Sequence, residues 1–348
     1  MKTRIVAAMS GGVDSSVVAA LLRGRGYEVI GVTLRMFRGL KGGSAEDTDR
    51  AASNAEAIGI EHHYIDAEEI FRDKVINYFS RSYAGGLTPN PCVLCNRYVK
   101  FGYLFDVARK FGADRIATGH YAGISEKDGV FSLKRAGDAV KDQSYFLFGI
   151  AREKLSKISF PLEDISKEEV RKTAAGLKLP SASRSDSQDI CFMEGRDYVS
   201  YLKHYCGLES APGYITDAGG RILGRHNGYF NFTIGQRKGL GVYGTDRLYV
   251  TDIDAASNKV VLGSIEQARR NRFFIKDYNA LSDMPSGEFR TSVQIRHRHR
   301  PAPCAVKPCG DGYEVLTDTP QFAVTPGQAA VFYEGEKVLG GGFIQPGG

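Results

Sequence analysis

The sequence predicts an α/β protein: a doubly wound parallel sheet, then a small central β-rich domain, then a C-terminal β-barrel. Three observations carry this. Over the first third, short apolar runs alternate with amphipathic helical stretches, the pattern of parallel strands joined by helical crossovers. A glycine- and serine-rich loop joins the first such strand to the first such helix. After about Gly207 the texture changes to short runs broken by glycine, and from about Phe273 to alternating β segments. The expected division is therefore 1–207, 208–272 and 273–348, and 348 residues is more than one ordinary domain.

Taken in order, Arg4 to Met9 is a continuous apolar run suited to a strand covered on both faces. Asp14 to Leu22 reads as a helix, with Val17, Val18, Leu21 and Leu22 on one side and Gly24 near its end. Glu28 to Leu34 is β-branched and strand-like. Ser44, with Asp47 three residues on, resembles a capping box opening the helix that carries Ala51 to Ile58. His62 to Ile65 and Arg115 to Thr118 are short strands, and Lys100 to Phe111 is a helix. Glycines at 219, 220, 224, 228, 235, 239, 241 and 244 mark small β elements and loops. Thr291 to Ile295, Tyr313 to Leu316, Ala329 to Tyr333 and Lys337 to Phe343 supply a small barrel.

Composition narrows the function classes. Hydrophobic content of 42% with 25% charged residues is globular, which excludes a disordered chain. A net charge of +6 admits a polyanionic partner without requiring one. The apolar run from Ile5 to Met9 is too short for a signal-peptide core, and no stretch approaches the roughly 20 apolar residues of a bilayer span. The expectation is a cytoplasmic protein without a membrane partner. Six cysteines (Cys92, Cys95, Cys191, Cys206, Cys304, Cys309) are too few for a secreted disulfide framework in a chain this long. In the cytosol, Cys92-Val-Leu-Cys95 reads instead as redox, metal or catalytic chemistry.

Ser10-Gly11-Gly12-Val13-Asp14-Ser15-Ser16 lies between the first strand and the first helix. Glycines let the backbone approach a ligand, and serine hydroxyls with the helix N-terminus offer donors to an anion. Asp14 beside such a site implies Mg²⁺. The Walker spacing is absent, so this is a different phosphate loop. Further on, Thr88-Pro89-Asn90-Pro91-Cys92-Val93-Leu94-Cys95 reads as a proline-rigid loop leading to a basic helix start at Lys100. Thiols so placed are expected to have lowered pKa values. Cys191, taken by itself, reads as a small buried hydrophobe.

The segment SGGVDSS resembles the pyrophosphate loop of the adenylating ATPases that include GMP synthetase, asparagine synthetase and the tRNA thiolases. More closely, SGGVDSSV, TPNPCVLCN, ATGHY, KDQSYFL, SDSQDICF and TIGQRKGLG stand in the order seen in the bacterial tRNA-specific 2-thiouridylase family. This resemblance covers Ile5 to about Gln328. It implies an adenine nucleotide α-hydrolase-like sheet and an ATP-dependent sulfurtransferase using ATP and Mg²⁺. The implied reaction adenylates the C2 oxygen of the wobble uridine in tRNAs for Lys, Glu and Gln and replaces it with sulfur. By the same resemblance, Ala8, Met9, Ser10, Gly11, Gly12, Val13, Asp14 and Ser15 bind ATP, and Leu34 and Gly119 line the adenine and ribose. Cys191 would receive sulfur as a persulfide from a sulfur-donor protein or desulfurase relay. Cys95 would release that sulfur and end disulfide-bonded to Cys191. Asn90, Pro91, Cys92, His120, Lys141, Asp142, Gln143, Arg296, His297 and Gln328 fall at tRNA-contacting positions.

One departure from the family pattern is Cys92, where an Asp is usual. Cys92, Cys95 and Cys191 together match the ligand count of a [4Fe–4S] site with one open iron, so a cluster route stands beside the persulfide route. Zinc would lack an obvious fourth ligand. Tyr145, Phe146 and Phe148 read as core. Gln236-Arg237-Lys238 suits phosphate contact, and Arg296 to Arg300 reads as a strand placing Arg296, Arg298 and Arg300 on one face. Two rivals remain at this level: an adenylating synthetase acting on a small molecule, and a non-enzymatic tRNA-binding protein.

Overall fold

The structure is a computed structural model. It describes residues 2–37, 45–184, 190–193, 197–242 and 247–347, with side chains in the second span described from 49 onward. The capping box at Ser44 and most of SDSQDICF lie outside these residues. The strands are β1 (Arg4–Ala8), β2 (Glu28–Arg35), β3 (Glu61–Asp66), β4 (Arg115–Ala117), β5 (Gly123–Lys127), β6 (Val130–Lys134), β7 (Ile158–Ser159), β8 (Gly213–Asp217) and β9 (Ile222–His226). They continue as β10 (Tyr249–Asp254), β11 (Lys259–Gly263), β12 (Arg269–Ala280), β13 (Phe289–Gln294), β14 (Ala302–Cys309), β15 (Gly312–Phe322), β16 (Ala329–Glu334) and β17 (Lys337–Ile344). The helices are α1 (Val13–Gly24), α2 (Ala45–Ile58), α3 (Glu68–Phe71), α4 (Asn77–Ala84), α5 (Pro91–Leu94), α6 (Leu104–Lys110), α7 (Lys167–Gly176) and α8 (Tyr198–Cys206).

The N-terminal sheet is parallel, in the order β3-β2-β1-β4-β7. The order reverses at β1, which places a ligand crevice at the carboxyl ends of β1 and β4, on the path to α1. Val6 and Ala7 are completely buried because helices cover both faces. Beyond it, β10-β11-β8-β9 form a small four-stranded sheet around Ile215, Val250, Val260 and Leu262. The last six strands run β12-β15-β14-β13-β16-β17, and β17 pairs back with β12, closing a barrel. Closure removes the open edges that such a sheet would otherwise present.

Two local predictions differ from the structure. The segment of Arg296 to Arg300 is a turn after β13, with Arg298 in the left-handed region at φ 64°. Period-two alternation therefore does not apply, and the three arginines do not share a strand face. The helix expected from Lys100 begins nine residues earlier, at Pro91, and continues through a π-helical stretch, Cys95–Tyr103, into α6. Proline at the first helical position is preorganised for such a start. The hairpin β5–β6, unforeseen from the sequence, turns through Asp128 and Gly129 at φ 52° and 75°. It pairs with β17 of the barrel at Lys134 and Lys337.

The segment KDQSYFL fastens the barrel to the first domain. Tyr145 and Phe148 are buried as core, and the Tyr145 hydroxyl donates to the Ala329 carbonyl at 2.9 Å. Phe146 is half-buried, with its ring 4.7 Å from that of His297.

Candidate active site

The phosphate loop leaves β1 at Ala8 and turns at Gly11 (φ 74°) into α1. Gly12 is the N-cap residue and supplies no side-chain cap, so the first amides of α1 keep their donors for an anion. Ser15 braces the loop: its hydroxyl donates to the Gly12 carbonyl at 3.1 Å and accepts from the Ser10 amide at 3.2 Å. Met9 and Val13 are buried beneath the loop, while Ser10 is exposed. Leu34 is the penultimate residue of β2 and Gly119 follows β4, so both stand at carboxyl ends of strands flanking β1. Gly119 packs directly on the loop. A Cβ there would lie 2.9 Å from the Ser15 nitrogen and 3.1 Å from the Asp14 Cβ, so only glycine permits this approach.

Asp14 is held from two sides. Lys167, the first residue of α7, donates to both carboxylate oxygens at 2.6 and 2.8 Å, and the Tyr121 hydroxyl donates to Oδ1 at 3.0 Å. The sequence argument for Mg²⁺ rested on a carboxylate standing beside a phosphate loop. In the structure Asp14 has Lys167 as its counter-ion, and that lysine engages both carboxylate oxygens. Neither Lys167 nor Tyr121 was anticipated.

The thiol site is built on the helix that starts at Pro91. Cys92 sits in the first turn of α5 and Cys95 opens the π-helical stretch, one turn apart. Cys95 is buried in an aromatic cluster with Phe71, Phe79, Tyr201 and Phe192, the residue beside Cys191. Cys191 itself, in a short 3₁₀ turn (Cys191–Met193), is exposed, which overturns its reading as a buried hydrophobe. Cys92 is exposed as well. All three are free thiols here.

Burial pushes the Cys95 thiol up to about 12, with Lys100 opposing and Cys191 and Cys92 adding to the rise. Cys92 and Cys191 are raised too, chiefly by desolvation from the surrounding protein although both residues reach the surface, with Lys100 opposing. The expectation of lowered thiol pKa values from a helix start and nearby cations is therefore corrected: desolvation outweighs a single lysine.

A second correction concerns the cluster. Among the described residues no three His, Cys, Asp or Glu side chains converge as a metal-holding group. Cys92, Cys95 and Cys191 are thus not assembled as a three-thiolate ligand set. No step is routed through iron.

His120 stands between the two halves. Its Nδ1 is 2.8 Å from the Thr118 hydroxyl, its ring packs 5.7 Å from Phe101 of the π stretch, and it directly follows Gly119 on the phosphate loop. Burial first, and Lys100 second, hold its pKa well below the usual histidine range, so the ring is neutral at pH 7.

The remaining expected tRNA contacts divide by exposure. Asn90 and Pro91 are buried at the start of α5, and the Gln328 amide donates to the Thr88 and Pro89 carbonyls at 2.9 and 3.3 Å, bracing that loop. Asp142 is buried. Its carboxylate accepts from Arg135 at 2.8 Å, from the Ala136 amide at 3.1 Å, and from the Ser144 amide and hydroxyl at 3.1 and 2.9 Å. It shapes the loop and presents no free oxygen to a ligand. Gln143 accepts from the Tyr121 amide at 3.0 Å, tying that loop to the residue that holds Asp14. His297 and Arg298 are exposed, as are Arg237 and Lys238 of the central domain; Lys141 and Arg296 are half-buried. Arg296 lies 5.9 Å over the ring of Phe322.

Comparison with known proteins places the whole chain. The family model for the tRNA methyl transferase HUP domain matches residues 3–195. The tRNA methyl transferase PRC-barrel domain matches 199–264, and the aminomethyltransferase beta-barrel domain matches 270–344. The tRNA-specific 2-thiouridylase MnmA of Pelobacter propionicus is 47% identical over 98% of this chain and 97% of its own length. That of Trichlorobacter lovleyi is 44% identical over 99% of this chain and 98% of its own. A solved 4-thiouridine synthetase–RNA complex with bound ATP is a distant likeness, at 15% identity and TM-score 0.40 over 58% of this chain and 50% of that one. With full-length identity at this level, the chain belongs to the tRNA-specific 2-thiouridylase family.

Proposed function

We propose that this chain is an ATP-dependent tRNA-uridine 2-sulfurtransferase acting on the wobble uridine of tRNAs for Lys, Glu and Gln. The observation that carries the reading is the convergence at His120: it follows Gly119, which packs on the uncapped phosphate loop, and its ring packs on Phe101 of the helical stretch that Cys92 and Cys95 open. Ala8 to Ser15 hold the triphosphate, and Leu34 and Gly119 flank the nucleoside. The target base enters flipped out, since C2 is unreachable in a stacked strand. Its C2 oxygen attacks the α-phosphorus, and pyrophosphate leaves with the electrons of the broken P–O bond.

A persulfide on Cys191 supplies the sulfur. Its outer sulfur attacks C2, and AMP departs with the original oxygen. Cys95 then attacks the Cys191 sulfur, the S–S electrons pass to the sulfur on C2, and a Cys95–Cys191 disulfide remains for a thiol reductant. Cys191 is suited to loading because it is exposed, and Cys95 to the later step because it is shielded. Donor protein and reductant are partners of this scheme. Arg237, Lys238, Arg296, His297, Arg298 and Lys141 contribute positive or polar surface for the tRNA backbone. The domains are proposed to divide at 207 and 272; β12 opens slightly earlier, at Arg269, and the β5–β6 hairpin of the first segment pairs into the barrel sheet.

The reading is tested by incubating the protein with unmodified tRNA, MgATP and a persulfide-charged donor, then analysing nucleosides by mass spectrometry. Formation of 2-thiouridine only when ATP and the donor are both present is expected. Sulfur-free tRNA under all conditions would refute it.

A further inference from the structure

Lys167 occupies a position that helix physics disfavours. It is the first residue of α7, where the helix dipole repels a cation, and the acidic Glu168 and Glu169 beside it are what that position ordinarily attracts. The Ser166 capping box fixes the helix start, so the lysine cannot slide away from it. Its side chain is only 12% exposed, which makes an anionic partner obligatory. That partner is Asp14, bound through both oxygens, in the first turn of α1, whose amides have no side-chain cap. A triphosphate received by those amides would lie within about one helical turn, roughly 5 Å, of the Asp14 carboxylate. Uncompensated, that carboxylate would repel it.

We propose that Lys167 is the phosphate-compensating residue of the adenylation step. In the empty site it neutralises Asp14. With ATP bound it lies between the carboxylate and the β- and γ-phosphates and carries the charge that builds on pyrophosphate as the P–O bond breaks. The uracil oxygen forms the new bond to the α-phosphorus, the electron pair of the old bond goes to pyrophosphate, and Lys167 gives up no proton. Tyr121, donating to Asp14 Oδ1 from the other side, keeps the carboxylate aimed at the lysine. This inference rests on the ATP-dependent reading above.

The test compares Lys167→Met, Lys167→Arg and the doubly neutral Asp14→Asn/Lys167→Met variant in full-length protein. Binding of ATP and of AMP is measured separately by calorimetry without tRNA, and pyrophosphate release is measured with tRNA. Loss of Lys167 is expected to weaken ATP binding about tenfold and leave AMP binding within about twofold. Pyrophosphate release at saturating ATP should fall at least about a hundredfold. Arginine should recover part of the ATP affinity. A structural role would weaken ATP and AMP equally, and that result would overturn the proposal, as would unchanged ATP affinity. If Lys167→Met unfolds, the doubly neutral variant, which has no carboxylate to repel the phosphates, should bind ATP within a few-fold of the unsubstituted protein yet still release pyrophosphate at least about a hundredfold more slowly; undiminished release would overturn the proposal. Failure of the unsubstituted protein to bind ATP would refute the ATP-dependent reading itself.

Discussion

Cys95 is predicted to be chemically silent in the resting enzyme. Its thiol is pushed from an ordinary value of 9.0 up to about 12 by burial, with Lys100 pulling the other way. At pH 7 an ordinary thiol is about 1% ionised, whereas a thiol titrating near 12 is ionised about a thousandfold less. The perturbation is pH itself, followed by Lys100→Met. Each cysteine is alkylated with iodoacetamide from pH 6 to 11, and peptide mass spectrometry follows the extent, with exposed Cys309 as internal reference. Cys95 should react at least about a hundredfold more slowly than Cys309 at pH 8 and keep accelerating tenfold per pH unit to the end of the range. Lys100→Met should slow Cys95 further, because Lys100 is the cation opposing its burial. The same shift has a stability consequence. A raised folded pKa means this stability is fully present below about 9 and is lost as pH rises toward 12, at about 1.4 kcal/mol per pH unit for one thiol. A Cys95 alkylation rate that levels off below pH 9 would refute the argument that desolvation dominates this site.

Gly119→Ala should place a methyl against the Ser15 amide, cost about 1–3 kcal/mol of stability and abolish ATP binding measured by calorimetry, while tRNA binding persists. Gln328→Ala removes two hydrogen bonds to the loop before α5, so thiolation should fall with about 1–2 kcal/mol of stability lost and ATP affinity unchanged. Replacing Arg296 and Arg298 together should flatten the salt dependence of tRNA binding by about one log-log unit per lost phosphate contact; an unchanged slope would make them merely solvated.

Much of the fold was legible because it depends on local pattern. The run Arg4 to Met9, the glycine loop and the helix after it identify a buried parallel strand feeding a ligand site, and β1 and α1 follow within a residue or two. Four of the six barrel strands, β13, β15, β16 and β17, were legible from alternation, whereas β12 and β14 were not singled out. The β5–β6 hairpin was missed, although Asp128-Gly129, with its preference for left-handed backbone, was a local signal for a two-residue turn. What stayed hidden is tertiary. Nothing local says that Lys167 meets Asp14 across 153 positions, although Ser166 and Glu169 mark the helix start that carries it. The alternating basic run from Arg296 misled because charge alternation does not distinguish a strand from a turn lying on a surface. The thiol pKa values were misjudged for a related reason: helix ends and cations are visible in sequence, whereas the aromatic cluster burying Cys95 comes from residues as distant as Phe230.

The central claim is that the C2 oxygen of the target uridine leaves on AMP, and isotope transfer tests it most directly. A tRNA carrying ¹⁸O at C2 of the wobble uridine is incubated with the protein, MgATP and the persulfide donor, and the AMP formed is weighed. The account predicts one ¹⁸O per AMP, appearing in step with 2-thiouridine and with pyrophosphate. Unlabelled AMP, or ADP in its place, would contradict adenylation of the base and with it the assignment of the phosphate loop.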